Sequence, residues 1–354
     1  MKKVACVIIF WLTASLLIGG CGRDTKEDAE EKGILVNLDI SVALSDVARS
    51  MSRAGYADAV GDNEKMQTLR IIVVNKDGNV EANRLVSLAA VESYGYERFK
   101  VMGKEKKKIY LFVNEENKDI KVRRGNSTNT EDLELTKYLS EISLWKELPD
   151  LSDLTIRLEE NSALLTGALP MSECHEVDVP DTDYSCDLFV TRAAVKFSFK
   201  ITNNSSKERE LTGLTISKMS RYEYYLPHNV KYGEEEIDGK SYKTIISYDS
   251  PSRVEEYDYK QQRLNVALPK GEEIVLKESV YLLEGYSGRE EYSIGIGLDG
   301  ADLENKVLKD LKKLPRNTHV VVNITLNDDS NNEMTCEVDV RPYSEKILKP
   351  EFGL

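Results

Sequence analysis

The sequence predicts an all-β protein built as two β-sandwiches in tandem, with few short helices. Short runs of apolar residues at every second position recur from Ile34 to Val340, the period of half-buried strands. Turn residues punctuate these runs, and only one stretch of the first half stands out with a helical period. The alternation lapses over residues 179–186, an acidic stretch with Pro180, and then resumes. That lapse divides the folded chain into 34–186 and 187–354, in keeping with a length too great for one typical domain.

The chain opens with Met1, Lys2 and Lys3, then an almost wholly apolar run over 4–18 that closes on Leu16-Leu17-Ile18-Gly19-Gly20-Cys21. Residues 1–20 read as a secretory signal peptide ending in a lipoprotein cleavage box. In this reading the Cys21 thiol carries a diacylglycerol, and cleavage before Cys21 frees its amine for a third acyl chain. Each buried acyl CH2 contributes about 0.8 kcal/mol to membrane binding. The alternatives are an ordinary signal peptide, or a short membrane helix beside a chance cysteine. The apolar run is shorter than the roughly 20 residues a bilayer span needs. Cys21 is therefore the expected lipidation site, residues 21–33 a polar tether, and the bacterial envelope the expected location.

Net charge is -13, and the signal peptide removes two further positive charges, Lys2 and Lys3. Such a chain has no electrostatic footing on nucleic acid.

Strand signals dominate after the tether. Ile34, Val36, Leu38, Ile40 and Val42 alternate with mostly polar residues. The run from Leu69 to Val74, the turn Asn75-Lys76-Asp77-Gly78 and then Asn79-Val80-Glu81 read as a hairpin. Ile109 to Val113 reads as a buried strand. Leu135, Tyr138, Leu139 and Ile142 repeat at helical spacing, which places Trp145 at a helix end. In the second half, strands are expected over 195–201, 211–216, 242–246, 274–283, 292–298 and 320–326. Met334, Cys336, Val338 and Val340 supply a hairpin partner for the last of these.

No constellation for catalysis emerges. His175, His228 and His319 have no partners at metal-ligand spacing, and Cys174-His175 with Cys186 lacks the second close pair a zinc site needs. There is no Gly-x-Ser-x-Gly elbow and no phosphate-binding loop. The oxygen-rich stretch from Asn327 to Asn331 lacks the spacing of a calcium loop. Gly295 and Gly297 sit inside a strand pattern, where glycine marks a bulge or a close backbone approach. Lys104, Lys106, Lys107 and Lys108 read as a solvated turn guarding the strand that begins at Ile109. Eight of the 18 tyrosines lie between Tyr222 and Tyr259, read mainly as the edge of a sandwich core and alternatively as a contact surface. Cys174 and Cys186 are close enough in sequence to close a moderate loop and are the candidate disulfide; two free thiols are the alternative. Cys336 reads as a small buried apolar side chain.

Three sets of motifs carry a family resemblance. Leu69-Arg70-Ile71-Ile72-Val73-Val74-Asn75-Lys76-Asp77-Gly78, followed by Lys107-Lys108-Ile109-Tyr110-Leu111-Phe112-Val113-Asn114, resembles the first domain of Bacteroidales fimbrillins, pilus subunits of the FimA and Mfa type. Leu169-Pro170-Met171-Ser172 and Arg192-Ala193-Ala194-Val195-Lys196 resemble that family's domain-junction elements. Val338-Asp339-Val340-Arg341-Pro342-Tyr343, with Pro350-Glu351-Phe352-Gly353-Leu354, resembles its C-terminal segment. Lys26-Glu27-Asp28 in addition resembles the acidic surface-export signal of Bacteroidetes lipoproteins.

The resemblance implies two transthyretin-like sandwiches, a surface-exposed lipoprotein of the outer membrane, no cofactor, and polymerisation with other pilus subunits by strand exchange. In that scheme an arginine-specific protease cuts after the first strand, which leaves with the lipid. A neighbour's C-terminal segment then fills the groove. The apolar face of residues 34–44 suits such a removable strand, since its loss would expose unpaired backbone groups and apolar side chains together. Arg49 and Arg53 are the candidate cleavage points. The candidate donor arm comprises Met334, Cys336, Val338 and Val340, extended by Ile347, Leu348 and Phe352, with Pro342 and Pro350 breaking it into pieces. Stalk, anchor and tip roles stay open, as does a surface glycan-binding lipoprotein of β-sandwich type. Against the latter stands the presence of a single tryptophan, Trp145, beyond the signal peptide.

Overall fold

The computed structural model describes residues 33–45, 61–92, 94–125, 131–160, 162–237, 240–251, 255–283, 292–302, 305–308, 314–328 and 334–342. The signal peptide, Cys21, most of the tether, Arg49, Arg53, Ile347, Leu348 and Phe352 lie outside the described residues. Nearly all of the regular structure is β. No helix among the described residues is long and apolar enough to cross a membrane.

The first half runs β1 (Leu35–Leu44), β2 (Met66–Val74), β3 (Val80–Glu92), β4 (Tyr94–Met102), β5 (Glu105–Val113), β6 (Ile120–Arg124), β7 (Glu131–Leu133), α1 (Leu135–Ser140), β8 (Thr155–Leu158), β9 (Met171–Val179) and β10 (Tyr184–Arg192). Seven strands form one sheet in the order β3-β2-β5-β9-β10-β1-β4. β9 and β10 pair only at Ser172–Thr191 and Met171–Arg192. Beyond those rungs β9 continues along β5 and β10 along β1. The sheet turns over at this corner, and side chains from both flaps meet in one buried cluster that includes Ile40, Leu111 and Val190. The β2–β3 hairpin turns where expected. Asn75 Oδ1 accepts the N–H of Asp77 at 3.0 Å and of Asn79 at 2.8 Å, and Gly78 takes φ +85°.

The second half runs β11 (Val195–Asn203), β12 (Arg209–Ser220), β13 (Tyr222–Tyr224), β14 (Lys231–Ile237), β15 (Lys240–Ser247), β16 (Glu256–Leu268), β17 (Glu273–Val275), β18 (Val280–Leu282), β19 (Ser293–Leu298), β20 (Ala301–Asp302), β21 (Lys306–Val307), β22 (Thr318–Leu326) and β23 (Met334–Pro342). One sheet orders β17-β11-β22-β23, with β18 also on β11, and another orders β16-β12-β19-β20. Their inward rows, among them Phe197, Ile216, Ile294 and Val322, form a second buried cluster. Past the end of β10, Ala193 and Ala194 still belong to the first cluster, and β11 opens the second at Val195. The two are stitched together: β13 pairs with β8, and Tyr225, Leu226, Tyr281 and Leu283 pack into the first cluster. Each half also opens alike. β1 runs parallel to β10 and antiparallel to β4, and β11 runs parallel to β22 and antiparallel to β17 and β18.

Several expectations are corrected. The helix stops at Ser140, whose hydroxyl bonds back to Thr136 O, so Trp145 lies beyond it in a loop at φ +62° and is 58% exposed. The lapse read over 179–186 narrows to a turn at 180–183, because Val179 ends β9 and Tyr184, Ser185 and Cys186 already belong to β10. The strand expected over 274–283 is split, because β11 pairs separately with β17 and β18 and the polar stretch Lys277-Glu278-Ser279 bulges out between them. The lysine run is a solvated turn only at Lys104, and the rest of it lies in β5. Lys106 and Lys108 face solvent beside Glu176, while Lys107 points inward within β5, fully buried against Glu81 and Glu105. At Gly295 the close neighbour is a side chain: a Cβ there would meet Asn305 Oδ1 at 2.0 Å.

Candidate functional site: the slot of the first strand

β1 is an interior strand. It pairs antiparallel with β4 from Leu35–Met102 to Ala43–Tyr94, and parallel with β10 from Leu38–Tyr184 to Leu44–Val190. Its inward row is sealed, while its outward row is partly covered, with Ser41 buried. Leu38, Ile40 and Val42 are 0% exposed and Val36 and Leu44 nearly so, whereas Leu35 is 51% exposed. Burying each of the larger inward side chains contributes about 1.5–3 kcal/mol. Two ladders of main-chain hydrogen bonds add to that grip.

The outward row carries polar contacts to both walls. Asn37 donates its main-chain N–H to Asp183 Oδ1 at 2.9 Å and its side-chain amide to Asp183 Oδ2 at 2.8 Å. Asp39 accepts from Arg98 Nη2 and from the Tyr96 hydroxyl, each at 2.8 Å. Both carboxyls are held below their ordinary range, Asp39 chiefly by the Arg98 hydrogen bond and Asp183 chiefly by the Asn37 N–H.

The exit of β1 is latched to the boundary between the two buried clusters. Ser45 donates its N–H to Val190 O at 2.8 Å, and its hydroxyl accepts from Asn317 Nδ2 at 2.8 Å. Asn317 Oδ1 in turn accepts the Arg192 N–H at 3.2 Å. Arg192 reaches Glu64 O at 2.9 Å, and the Glu64 carboxylate pairs with Lys196 at 3.0 Å. Arg316 donates to the carbonyls of Arg192, Tyr224, Tyr225 and Thr191. Two carboxyls lie near this guanidinium. Burial raises Glu173 and pushes Glu223 up to about 7, with the Arg316 charge opposing the shift in both. Glu223 accepts from the Tyr248 hydroxyl at 2.7 Å.

The remaining candidate residues are dispersed. β23 pairs with β22 from Leu326–Met334 to Thr318–Pro342, and among the described residues that is its one ladder. This puts Met334, Cys336, Val338 and Val340 on an edge strand. Cys174 and Cys186 are free thiols, so the candidate disulfide is not formed. Cys186 sits opposite Ile40 on the β10 wall of the slot, and Cys174 sits opposite Tyr110 on β5, beyond the point where β9 and β10 part. Cys174 is exposed, and burial raises the Cys186 thiol to about 12. The histidines are scattered: His175 packs on Phe189, His228 stacks on Tyr224, and His319 bonds Ser198. Among the described residues no three of His, Cys, Asp and Glu gather to hold a metal ion.

Sequence reasoning picked out the inward row of β1 but missed Asn37, Arg98, Asp183 and Asn317. The outward polar residues of a strict alternation were the available signal; their partners, distant in sequence, had none.

No family model matches the sequence, and no curated protein matches it. Solved structures match the fold. A candidate cell adhesion protein from Parabacteroides distasonis superposes with TM-score 0.54 at 14% identity, over 87% of this chain and 97% of that one. The tip fimbrial protein Mfa3 from Porphyromonas gingivalis, with a C-terminal truncation, superposes with TM-score 0.53 at 9% identity, over 87% of this chain and 100% of that one. This chain thus shares the β-sandwich fold of these two proteins.

Proposed function

We propose that this chain is a structural, non-enzymatic subunit of a cell-surface pilus that contributes to adhesion. It is exported as a lipoprotein through Cys21 and assembled by strand exchange once a protease cuts at Arg49 or Arg53. The observation that carries this reading is the position of β1, an interior strand with a fully buried face, joined to β2 by a segment holding both arginines. A cut there would leave β1 held only by non-covalent contacts. Its departure with the lipid would open one slot, between β4 and β10. The partners are other pilus subunits, with β23 and the residues after it as the donor, and the outer membrane is engaged through the lipid. The two buried clusters support a division into tandem sandwiches. The fold neighbours named as a fimbrial tip protein and a candidate adhesion protein support the pilus reading.

The test treats purified, delipidated full chain with an arginine-specific protease, sequences the new N-terminus and looks for oligomers. Cleavage at Arg49 or Arg53 with loss of β1 and growth of a ladder is expected. A chain cut there that keeps β1 and stays monomeric would sink strand exchange.

One observation favours the second reading, a surface glycan-binding lipoprotein. Trp145 is an exposed aromatic on a loop, followed by Glu147, Leu148 and Pro149, which line a 450 Å³ cavity with Tyr110 and Asp150. Specific binding on a glycan array that is lost in Trp145→Ala would establish it.

A further inference from the structure

Which strand the slot accepts can be argued from its rim, on the strand-exchange reading given above. The inward row of β1, from Val36 to Leu44, is aliphatic throughout. Sliding an incoming strand by one residue would bury its polar row, whereas sliding it by two would put another apolar side chain in each place. The buried face therefore fixes which side of the strand goes in and leaves the register open.

The outward row is not uniform. At the place of Asn37 the slot presents Asp183, a carboxylate accepting two hydrogen bonds. At the place of Asp39 it presents Arg98 and the Tyr96 hydroxyl. These contacts come from opposite walls and differ in charge. We infer that Asp183 and Arg98 set the register of any strand entering the slot, admitting a hydrogen-bond donor at the place of Asn37 and a carboxylate two residues later.

The sequence of β23 meets this rule in one register. With Met334, Cys336, Val338 and Val340 at the places of Val36, Leu38, Ile40 and Val42, Thr335 falls at Asn37 and Glu337 at Asp39. Pro342 then falls at Leu44, past the end of the β4 ladder, where a proline fits. A slide of two residues in one direction sets Glu337 against Asp183 and places Pro342 in mid-strand at Val42. A slide of two in the other sets Glu333 against Asp183 and leaves uncharged Thr335 at Arg98. The occupant is thus the 334–342 segment of a second copy, seated with Glu337 on Arg98.

Cys186 offers a register gauge, because it faces Ile40 across the parallel ladder. The experiment uses full chain nicked between β1 and β2, at Arg49, at Arg53 or at an inserted protease site, and labelled peptides. A peptide of residues 35–44 reports whether the slot exchanges at all. A peptide of residues 334–342 is compared with its Glu337→Lys form, on the parent chain and on Arg98→Glu. The expected result is at least about tenfold weaker binding for Glu337→Lys on the parent and recovery on Arg98→Glu. With oxidised glutathione supplied as the two-electron oxidant, a peptide with Cys336→Val and Val338→Cys should form a disulfide with Cys186, and one with Cys336→Val and Val340→Cys should not. Equal binding of Glu337→Lys to the parent, or equal cross-linking from both peptides, overturns the register rule while leaving exchange intact. Failure of the 35–44 peptide to enter removes the strand-exchange reading and the rule with it.

Discussion

Asn317 reaches across the boundary between the two buried clusters to donate its side-chain amide to the hydroxyl of Ser45, 2.8 Å away and just past the end of β1. The same amide group accepts the N–H of Arg192, the last residue of β10. One side chain thus ties the exit of the first strand to the point where one cluster gives way to the other. Asn317 itself holds φ +61°, a conformation asparagine tolerates better than most residues.

Ser45→Ala tests that tie. It removes the acceptor and leaves a buried amide donor unsatisfied, so a loss of about 1–3 kcal/mol is expected. Urea unfolding monitors it, and amide exchange should show the loosening concentrated at the C-terminal end of β1.

The two faces of β1 should respond very differently to truncation. Ile40→Ala leaves a cavity among fully buried neighbours and should cost about 2–5 kcal/mol. Leu35→Ala, at a position 51% exposed, should stay within about 0.5 kcal/mol. Comparable shifts in the urea midpoint would mean that β1 is not seated as an interior strand.

Acid should loosen β1. Asp39 and Asp183 are both held below the ordinary carboxylate range, by hydrogen bonds from Arg98 and from the Asn37 N–H. Groups lowered in this way lend stability above their unfolded pKa of about 4 and lose it as pH falls through the depressed values. Amide exchange in β1 should therefore quicken below about pH 4 relative to β11. Asp39→Asn should show a smaller difference between neutral and acid pH.

Glu223 has the opposite sign. Burial pushes its carboxyl up to about 7, so between the unfolded value near 4.3 and that pH the folded chain holds a proton the unfolded chain has released. Stability from this site is fully present in acid and is lost as pH rises toward 7, by on the order of 3 kcal/mol. Glu173, also raised by burial, adds in the same direction. Glu223→Gln keeps an acceptor for the Tyr248 hydroxyl while removing the charge. The fall in Tm between about pH 5 and pH 8 should be distinctly shallower in that variant.

Much of the β-framework was legible because period-2 alternation is a local signal. β1, β11, β22 and β23 lie where their alternation places them, the apolar run from Ile109 to Val113 falls in the C-terminal part of β5, and the Asn75–Gly78 turn follows from its own side chains. The helix was over-extended because its apolar spacing continues to Ile142, while the Ser140 hydroxyl that bonds back to Thr136 leaves no periodic trace. The rim of the slot was invisible for another reason: Asn37 and Asp183, or Ser45 and Asn317, become neighbours only through the sheet order. Charge misled most directly at Lys107, because a lysine in a polar run reads as solvated until the strand's facing is known.

Lys107 therefore yields the sharpest contrast within a single strand. Its ammonium is fully buried between Glu81 and Glu105, and Glu81 also accepts the Met102 N–H at 3.0 Å. Lys107→Met preserves the length and packing of the side chain but leaves buried carboxylate behind, which should cost about 3–5 kcal/mol. Adding Glu81→Gln to that variant removes the stranded charge and should recover a large part of the loss. Lys108→Met, on the solvent face beside Glu176, should change stability by less than about 1 kcal/mol. Urea midpoints for the three proteins decide the matter, and an equally mild effect at Lys107 and Lys108 would return the whole run to the solvated turn its composition suggests.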